Sequence, residues 1–231
     1  MILYGRNPVH EALRAGRRPV RRIWATPGAA REPWLDGRRV QDARPEEIAA
    51  LCGSEAHQGI CAEADPYPYA GAQALIAEPD ALLIVLDEVQ DVQNLGAICR
   101  TAECAGATGV LIPERRSAEV TAAACKASAG AVEHLRVARV RNVADALGAV
   151  KAAGGWCYGA ALDAAAVPWT RVDLRGSVAL VLGAEGKGLR PRVAAACDQL
   201  VALPVRGRID SLNVSAAAAA LVYEAVRQRA A

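Results

Sequence analysis

The sequence predicts an α/β protein in which a mostly parallel sheet follows a small α/β unit. From residue 80 onward, apolar runs of strand length alternate with helical patterns, an order typical of parallel sheets with helices on both faces. Residues Ala81–Asp87 (ALLIVLD) form a continuous apolar run, as expected for a strand covered on both faces. Prolines cluster within residues 65–79 and favour a linker, because proline fixes the backbone and removes a donor. We therefore expect one domain at 1–64 and a second at 80–231.

The front unit, residues 1–64, combines helical and strand patterns with a basic charge. Residues 1–44 hold ten arginines and four acidic residues, a net charge of +6 against −4 for the remainder. A basic segment joined to a mildly acidic body suggests an anionic polymer as partner, most simply nucleic acid; a solvated arginine-rich surface is the alternative. The predicted elements are a helix at Asn7–Ala15, a strand at Val20–Ala25, a helix at Pro45–Leu51 and a strand at Gly59–Glu63.

The rest of the chain continues the alternation to its last helix. A short helix is expected to begin at Pro191, since proline suits the first helical position. The predicted strands after Ala81–Asp87 are Gly109–Ile112, Leu135–Ala138, Cys157–Leu162, Val178–Leu182 and Leu200–Leu203. The other predicted helices are Leu95–Ala105, Ala118–Ala129, Val143–Ala153 and Leu212–Arg229.

Composition narrows the class of protein. Hydrophobic residues make up 53% of the chain and charged residues 23%, which is ordinary for a globular protein. The longest apolar stretches, Ala81–Leu86 and Ala216–Tyr223, are far shorter than the ~18 residues that span a bilayer. Arg6 and His10 interrupt the start of the chain before a signal-peptide run can form. With seven cysteines and no CxxC pair, we expect a reduced, cytoplasmic protein without membrane contact.

Ligands of open parallel sheets bind at the carboxyl ends of the strands, and three of the loops there are unusual. In the first, Asn94 and Gly96 fall at the start of a helix, and Arg100 follows six residues after Asn94. A helix N-terminus with a nearby arginine can hold an anionic group. Taken alone, Asn94 is better explained as an N-cap, a role that asparagine often fills.

The second loop lies within Leu180–Pro191 (LVLGAEGKGLRP) and is rich in glycine. Gly183, Gly186 and Gly188 follow an apolar strand and let the backbone approach a ligand closely. The spacing excludes a phosphate-binding P-loop, which needs four residues between its glycines and a hydroxyl residue after the lysine. Glu185 stands between the glycines as a candidate functional carboxylate or an exposed loop charge.

The third loop precedes the last helix. Ser211 and Asn213 are both good capping residues, which is the simplest explanation for each. The run Ala216–Ala220 gives that helix a face with almost no side chain, so another backbone can approach it. A helix that needs only a cap does not require such a face of small residues.

The histidines and cysteines give weaker evidence of a functional site. The three histidines lie outside the three loops, which argues against a histidine-based nucleophile; they are His10, His57 and His134. Cys52, His57 and Cys61 have ligand-like spacing but no fourth ligand, so thiols are favoured over a zinc site and no metal is expected. Cys99 and Cys104 are interpreted as packing residues.

Taken together, the loops resemble the three motifs of the SpoU/TrmH branch of the SPOUT class of RNA methyltransferases. The order and separation of the motifs agree, and the front unit is similar to the substrate-binding domain of the family. The middle of that unit, around residues 25–45, departs by being short and arginine-rich. The matching stretches are Asn94–Gly106, Lys126–Leu135, Leu180–Leu189 and Leu203–Ala225, with Tyr4–Leu13 and His57–Ala64 in the front unit.

The resemblance implies a fold, a cofactor and a site. The second domain would be a SPOUT domain with a deep trefoil knot, a rare exception to the rule against threading. The chain would be a homodimer with its site at the subunit interface. The cofactor would be S-adenosylmethionine, bound by backbone groups at Gly183, Leu203 and Leu212. The catalytic residues would be Asn94, Arg100, Glu185, Ser211 and Asn213.

The implied reaction is methyl transfer to a ribose 2'-OH, most simply that of a guanosine in 23S rRNA. Arginine keeps its proton in proteins, so Arg100 is interpreted as a clamp on the nucleotide, with Ser211 and Asn213 orienting the ribose. Glu185 would accept the proton or else position Arg100 and Asn94. Three alternatives remain open: tRNA as the substrate, methylation of rRNA that confers resistance, and a non-catalytic RNA-binding or ribosome-assembly factor.

Overall fold

The front unit is built on a four-stranded mixed sheet. The computed structural model describes residues 1–163, 165–209 and 211–230. Across this sheet the order is β1-β4-β2-β3; β4 pairs antiparallel with β1 and β2, and β2 pairs parallel with β3. Its elements are β1 (Ile2–Tyr4), α1 (Arg6–Ala15), β2 (Val20–Ala25), β3 (Gln41–Asp42), α2 (Pro45–Cys52) and β4 (Ile60–Ala64).

A seven-stranded parallel sheet follows. Its order is β7-β6-β5-β10-β8-β11-β9, so β5 and β10 lie side by side near its centre. The strands are β5 (Leu82–Asp87), β6 (Gly109–Pro113), β7 (Val137–Val140), β8 (Trp156–Ala160), β9 (Val167–Pro168), β10 (Val178–Gly183) and β11 (Gln199–Ala202). The helices are α3 (Ala72–Ile76), α4 (Val92–Cys104), α5 (Ala122–Ala127), α6 (Val143–Ala152), α7 (Pro191–Ala196) and α8 (Val214–Arg229). None of these helices is both long and apolar enough to cross a membrane.

Both faces of the parallel sheet are covered, as the apolar run of β5 predicts. Leu82, Ile84 and Leu86 join a core that includes side chains of α4 and α8. Leu83 and Val85 point to the other face and pack with side chains of α3, α6 and α7. Successive side chains along a strand point to opposite faces of the sheet, and here both faces are buried from solvent. The predicted α/β fold with a parallel sheet is therefore confirmed.

Residues 65–79 pack onto the parallel sheet. The side chain of Tyr67 is buried, which raises its pKa to about 12, and its hydroxyl donates to the carbonyl of Val132 at 3.2 Å. The Tyr69 hydroxyl accepts from the backbone N–H of Val120 at 2.9 Å, and Ala70 forms a β-bridge. This proline-containing stretch is thus held by side-chain anchors before α3 begins.

A buried ion pair joins the front unit to the turn that precedes β7. Arg18, in the turn between α1 and β2, contacts Glu133 through two nitrogens, with Nε at 3.1 Å from Oε2. Their side chains are only 2% and 1% exposed. Burial lowers the pKa of Arg18, but the hydrogen bond and charge of Glu133 outweigh it and hold that pKa above its ordinary value. Since charges inside a protein need a partner, each residue depends on the other.

Several predicted boundaries move for local reasons. The helix predicted from Ala118 begins only at Ala122, because Thr121 caps it and Ala118 instead donates its N–H to the carbonyl of Val89. The strand predicted at Leu135–Ala138 lies two residues later. The short strands β1, β3 and β9 and the helix α3 were not predicted, being too short to show a period. The trefoil knot stays a prediction.

Candidate active site

Three side chains from the three unusual loops meet at one edge of the parallel sheet. The amide nitrogen of Asn94 donates to Oε1 of Glu185 at 2.9 Å. The amide nitrogen of Asn213 donates to the same oxygen at 2.7 Å and to Oδ1 of Asn94 at 2.9 Å. These residues are 91 and 28 positions apart along the chain, yet every pair among them is in contact. We call these three residues the polar triangle.

Asn94 lies inside the first turn of α4 and does not cap it. Asp91 is the N-cap, and its side chain accepts from the backbone N–H of Gln93 at 2.8 Å. The interpretation of Asn94 as an N-cap is therefore wrong. Its side chain is buried and is committed to Glu185 and Asn213. A buried amide in a helix needs partners for its donors and its acceptor, and the triangle supplies them.

Asn213 both caps a helix and completes the triangle. Its Oδ1 accepts from the backbone N–H groups of Ser215 and Ala216 at the start of α8, at 2.8 and 3.4 Å. Its Nδ2 holds Asn94 and Glu185. The capping interpretation is thus confirmed for Asn213, whereas Ser211 lies before the helix and is exposed. One side chain fixes the start of α8 and the position of Glu185 together.

Glu185 sits in a tight loop between β10 and α7 that is anchored at its far end. The loop closes on itself through the N–H of Gly188, which donates to the carbonyl of Ala184 at 2.9 Å. Asp87, buried at the end of β5, accepts from the backbone N–H of Arg190 at 2.9 Å and from its Nε at 2.8 Å. The hydrogen bond to Asp87 raises the pKa of Arg190. The anchoring role of Asp87 was not predicted, although a charged residue at the end of a buried strand is a visible signal in the sequence.

Gly183 is required where this loop folds back on β10. A Cβ built there would lie 2.1 Å from the carbonyl carbon of Gly188 and 2.4 Å from the backbone nitrogen of Leu189. These neighbours are backbone atoms, so they cannot rotate away. The loop itself would have to move, and Glu185 with it.

We expect Gly183→Ala to lower the methyl-transfer activity that the sequence resemblance implies by about 10²-fold, because a displacement of about 1 Å at a reacting group such as Glu185 has that cost. Gly148→Ala is the matched control: Gly148 lies exposed within α6 and a Cβ there would meet open space. That change should leave activity intact and raise the free energy of unfolding by about 0.5–1 kcal/mol. Steady-state rates measure the activity of the two variants, and urea denaturation measures their free energies of unfolding. Full activity in Gly183→Ala would contradict the clash.

The other predicted catalytic residues stand apart from the triangle within one subunit. Arg100 is exposed, and its side chain makes no hydrogen bond or ion pair with the rest of the described chain. Six residues of helix rotate it by about 240° from Asn94 around α4, so the two face different directions. Ser211 is exposed as well and has no side-chain hydrogen bond within the described part of the chain.

The predicted cofactor residues lie at one edge of the sheet. Gly183 is the last residue of β10, and Leu203 directly follows β11. Both strands pair parallel with β8, so their carboxyl ends lie at the same edge of the sheet. Within the described ranges, the backbone of residues 203–209 makes no hydrogen bond. Leu212 is 50% exposed. Unpaired backbone groups and open apolar surface are what the polar and apolar parts of S-adenosylmethionine require, so the residues fit this cofactor.

The cysteines and histidines form no competing centre. Burial raises the pKa of the Cys99 thiol to about 12, which keeps it protonated and unreactive, while Cys104 is exposed. His57 is buried and its Nδ1 accepts from the N–H of Gly59. The described residues contain no group of three metal-ligating side chains.

Comparison with known proteins decides the family. The SpoU rRNA Methylase family matches residues 81–223, and the family described as RNA 2'-O ribose methyltransferase substrate binding matches residues 2–70. The chain belongs to the SpoU family. It is an RNA methyltransferase of a family that uses S-adenosylmethionine.

Individual relatives agree with this assignment. The 23S rRNA (guanosine-2'-O-)-methyltransferase RlmB of Xanthomonas campestris is 43% identical over 87% of this chain and 81% of its own. An uncharacterized tRNA/rRNA methyltransferase of Synechocystis is 37% identical over 99% of this chain, which spans 62% of that relative. The crystal structure of the SpoU methyltransferase AviRb from Streptomyces viridochromogenes with AdoMet superposes with a TM-score of 0.84, at 26% identity, covering 100% of this chain and 91% of that one.

Proposed function

We propose that this SpoU methyltransferase transfers the methyl group of S-adenosylmethionine to the 2'-OH of a guanosine in 23S rRNA. The observation that carries the proposal is the polar triangle, in which the three separate loops place one carboxylate between two amides. The RlmB relative supports guanosine of 23S rRNA as the target. A pure binding protein would have no need to aim a carboxylate from a loop built around glycines.

The reaction needs an aligned hydroxyl and a place for its proton. S-adenosylmethionine, when bound, supplies an electrophilic methyl group on a positively charged sulfur. In the triangle, Oε1 of Glu185 accepts from both amides, while Oε2 has no hydrogen-bond partner within the described chain. We assign proton removal from the 2'-OH to that free oxygen. Asn94 and Asn213 hold the carboxylate in place and reduce the entropy lost in reaching the reactive arrangement.

Arg100 and Ser211 contact the nucleotide in this proposal. The guanidinium of Arg100 clamps a phosphate of the target, since arginine binds phosphate in a bidentate manner and keeps its charge. Ser211 orients the ribose. Backbone groups at Gly183, Leu203 and Leu212 hold the cofactor. Because Arg100 points away from the triangle of its own subunit, we propose a homodimer in which two copies build each site.

The front unit selects the RNA. Residues 1–64 form the substrate-binding domain, residues 65–79 connect it, and residues 80–231 carry catalysis. The net charge of +6 in residues 1–44 supports RNA as the ligand of this unit. The substrate is 23S rRNA or an assembly particle that contains it, and the enzyme acts in the cytoplasm.

The deciding experiment offers labelled S-adenosylmethionine with a 23S rRNA transcript and bulk tRNA side by side, and maps the modified nucleotide. We expect 2'-O-methylguanosine in the 23S transcript. Label in tRNA alone would overturn the substrate and keep the chemistry. Label in neither RNA, nor in a ribosomal assembly particle, would overturn the proposed function.

A further inference from the structure

An arginine-lined cavity of about 360 Å³ opens at the carboxyl edge of β5, β6 and β7, the same edge of the sheet that carries the polar triangle. Each arginine follows the end of a strand or closes the loop that carries Glu185. The only acidic residue in its lining is Glu88. The arginines are Arg115 and Arg116 after β6, Arg141 after β7, and Arg190 and Arg192 after β10.

The positive charge of this arginine cavity is only partly neutralised. Arg190 is paired with Asp87 and lies 3.3 Å from Glu88, and Arg192 lies 3.2 Å from Asp145. By contrast, neither Arg115 nor Arg141 makes an ion pair or a side-chain hydrogen bond within the described ranges, and both are exposed. Five guanidinium groups repel one another, so an anion that enters between them relieves this repulsion.

The arginine content of this part of the chain does not by itself explain the cluster. Residues 45–231 carry a net charge of −4, yet five arginines converge here from three loops. Oε1 of Glu88 is buried without a hydrogen-bond partner in the described chain, and Glu88 has a φ of 60°. That oxygen lies 3.3 Å from Arg190 and 3.7 Å from Arg116. A residue held in that strained backbone region beside converging guanidinium groups is typical of a functional site.

We infer that the arginine cavity binds backbone phosphates of the substrate RNA, next to the ribose that is methylated. The inference rests on the proposed function and adds a second RNA contact, outside the front unit. The cavity has no aromatic residue in its lining, so it offers guanidinium groups for phosphate and no surface on which a base can stack. A contact of this kind sets position and register and carries no sequence information.

The test removes the two unpaired charges and measures binding. We expect the double variant Arg115→Gln/Arg141→Gln to bind the 23S transcript about ten-fold more weakly at about 0.1 M salt. Each lost phosphate contact should also lower the slope of log affinity against log salt by about 0.7–0.9. S-adenosylmethionine affinity and thermal stability should not change, because neither side chain has a partner to lose.

The control is Arg171→Gln/Arg175→Gln, which removes the same charge from exposed positions ahead of β10, although Arg175 is paired with Asp173 at 2.8 Å. It should leave RNA affinity and the salt slope within two-fold of the unaltered protein. Equal weakening in both double variants, or none in the first, would overturn the phosphate site. Because binding is measured without methyl transfer, a protein that methylates no RNA yet binds it through Arg115 and Arg141 would overturn the proposed function and keep this inference.

Discussion

Glu185→Gln is expected to lower the rate of methyl transfer by about 10²–10⁴-fold, the usual contribution of a general base. Glutamine preserves the shape of the side chain and an oxygen that accepts from Asn94 and Asn213. It cannot take up the proton of the 2'-OH. The affinities for S-adenosylmethionine and for RNA should stay within two-fold, which also shows that the variant is folded.

Single-turnover rates at saturating RNA separate this role from simple positioning. Glu103→Gln is the matched control, since Glu103 lies on α4 with Asn94 but outside the triangle. It should react at the rate of the unaltered enzyme. If Glu185→Gln keeps more than a tenth of the rate, Glu185 is a positioning residue and the proton leaves by another path.

Glu133→Gln is expected to lower the free energy of unfolding by about 3–5 kcal/mol, because it leaves Arg18 buried without a counter-charge. That is a large share of the 5–15 kcal/mol that stabilises a typical domain. The loss should include the docking of the front unit, since Arg18 and Glu133 lie on opposite sides of that junction. Urea denaturation, followed by tryptophan fluorescence and circular dichroism, measures it.

A double variant shows that the cost comes from the unpaired charge. Arg18→Met/Glu133→Leu removes both ions and should recover most of the stability, because apolar replacements of a buried pair are often neutral. Arg21→Gln is the control: Arg21 pairs with Asp65 at 2.6 Å, but on the surface, where ion pairs contribute little. A loss in Arg21→Gln as large as in Glu133→Gln would contradict the role of burial.

Much of the architecture was predictable because periodicity reports burial. The apolar run of β5 requires cover on both faces, and α4 and α8 on one side and α6 and α7 on the other provide it. The same pattern cannot find β3 or β9, which have two residues each. Nor does it find α3, which lies within a stretch whose prolines indicate a linker.

The site was predictable as a set of loops, but its contacts were not. The carboxyl ends of parallel strands lie at one edge of the sheet, so topology alone brings the loops of Asn94 and Glu185 together. Backbone angles decide which of two possible residues caps a helix. Asp91 has the extended conformation of an N-cap, whereas Asn94 lies inside the helix. The arginine cavity was out of reach, because its side chains come from three loops with no motif in common. The roles of Arg100 and Ser211 stay predictions.

The double use of Asn213 makes the last helix part of the proposed catalytic site. Its oxygen is occupied by the first backbone N–H groups of α8 and its nitrogen by Glu185 and Asn94, so fraying of that helix turn removes one of the two amides that hold the carboxylate. The start of a helix opens more readily than its centre. Heat, denaturant or a partner that loosens this one turn would therefore lower the activity while the sheet and its core were still intact.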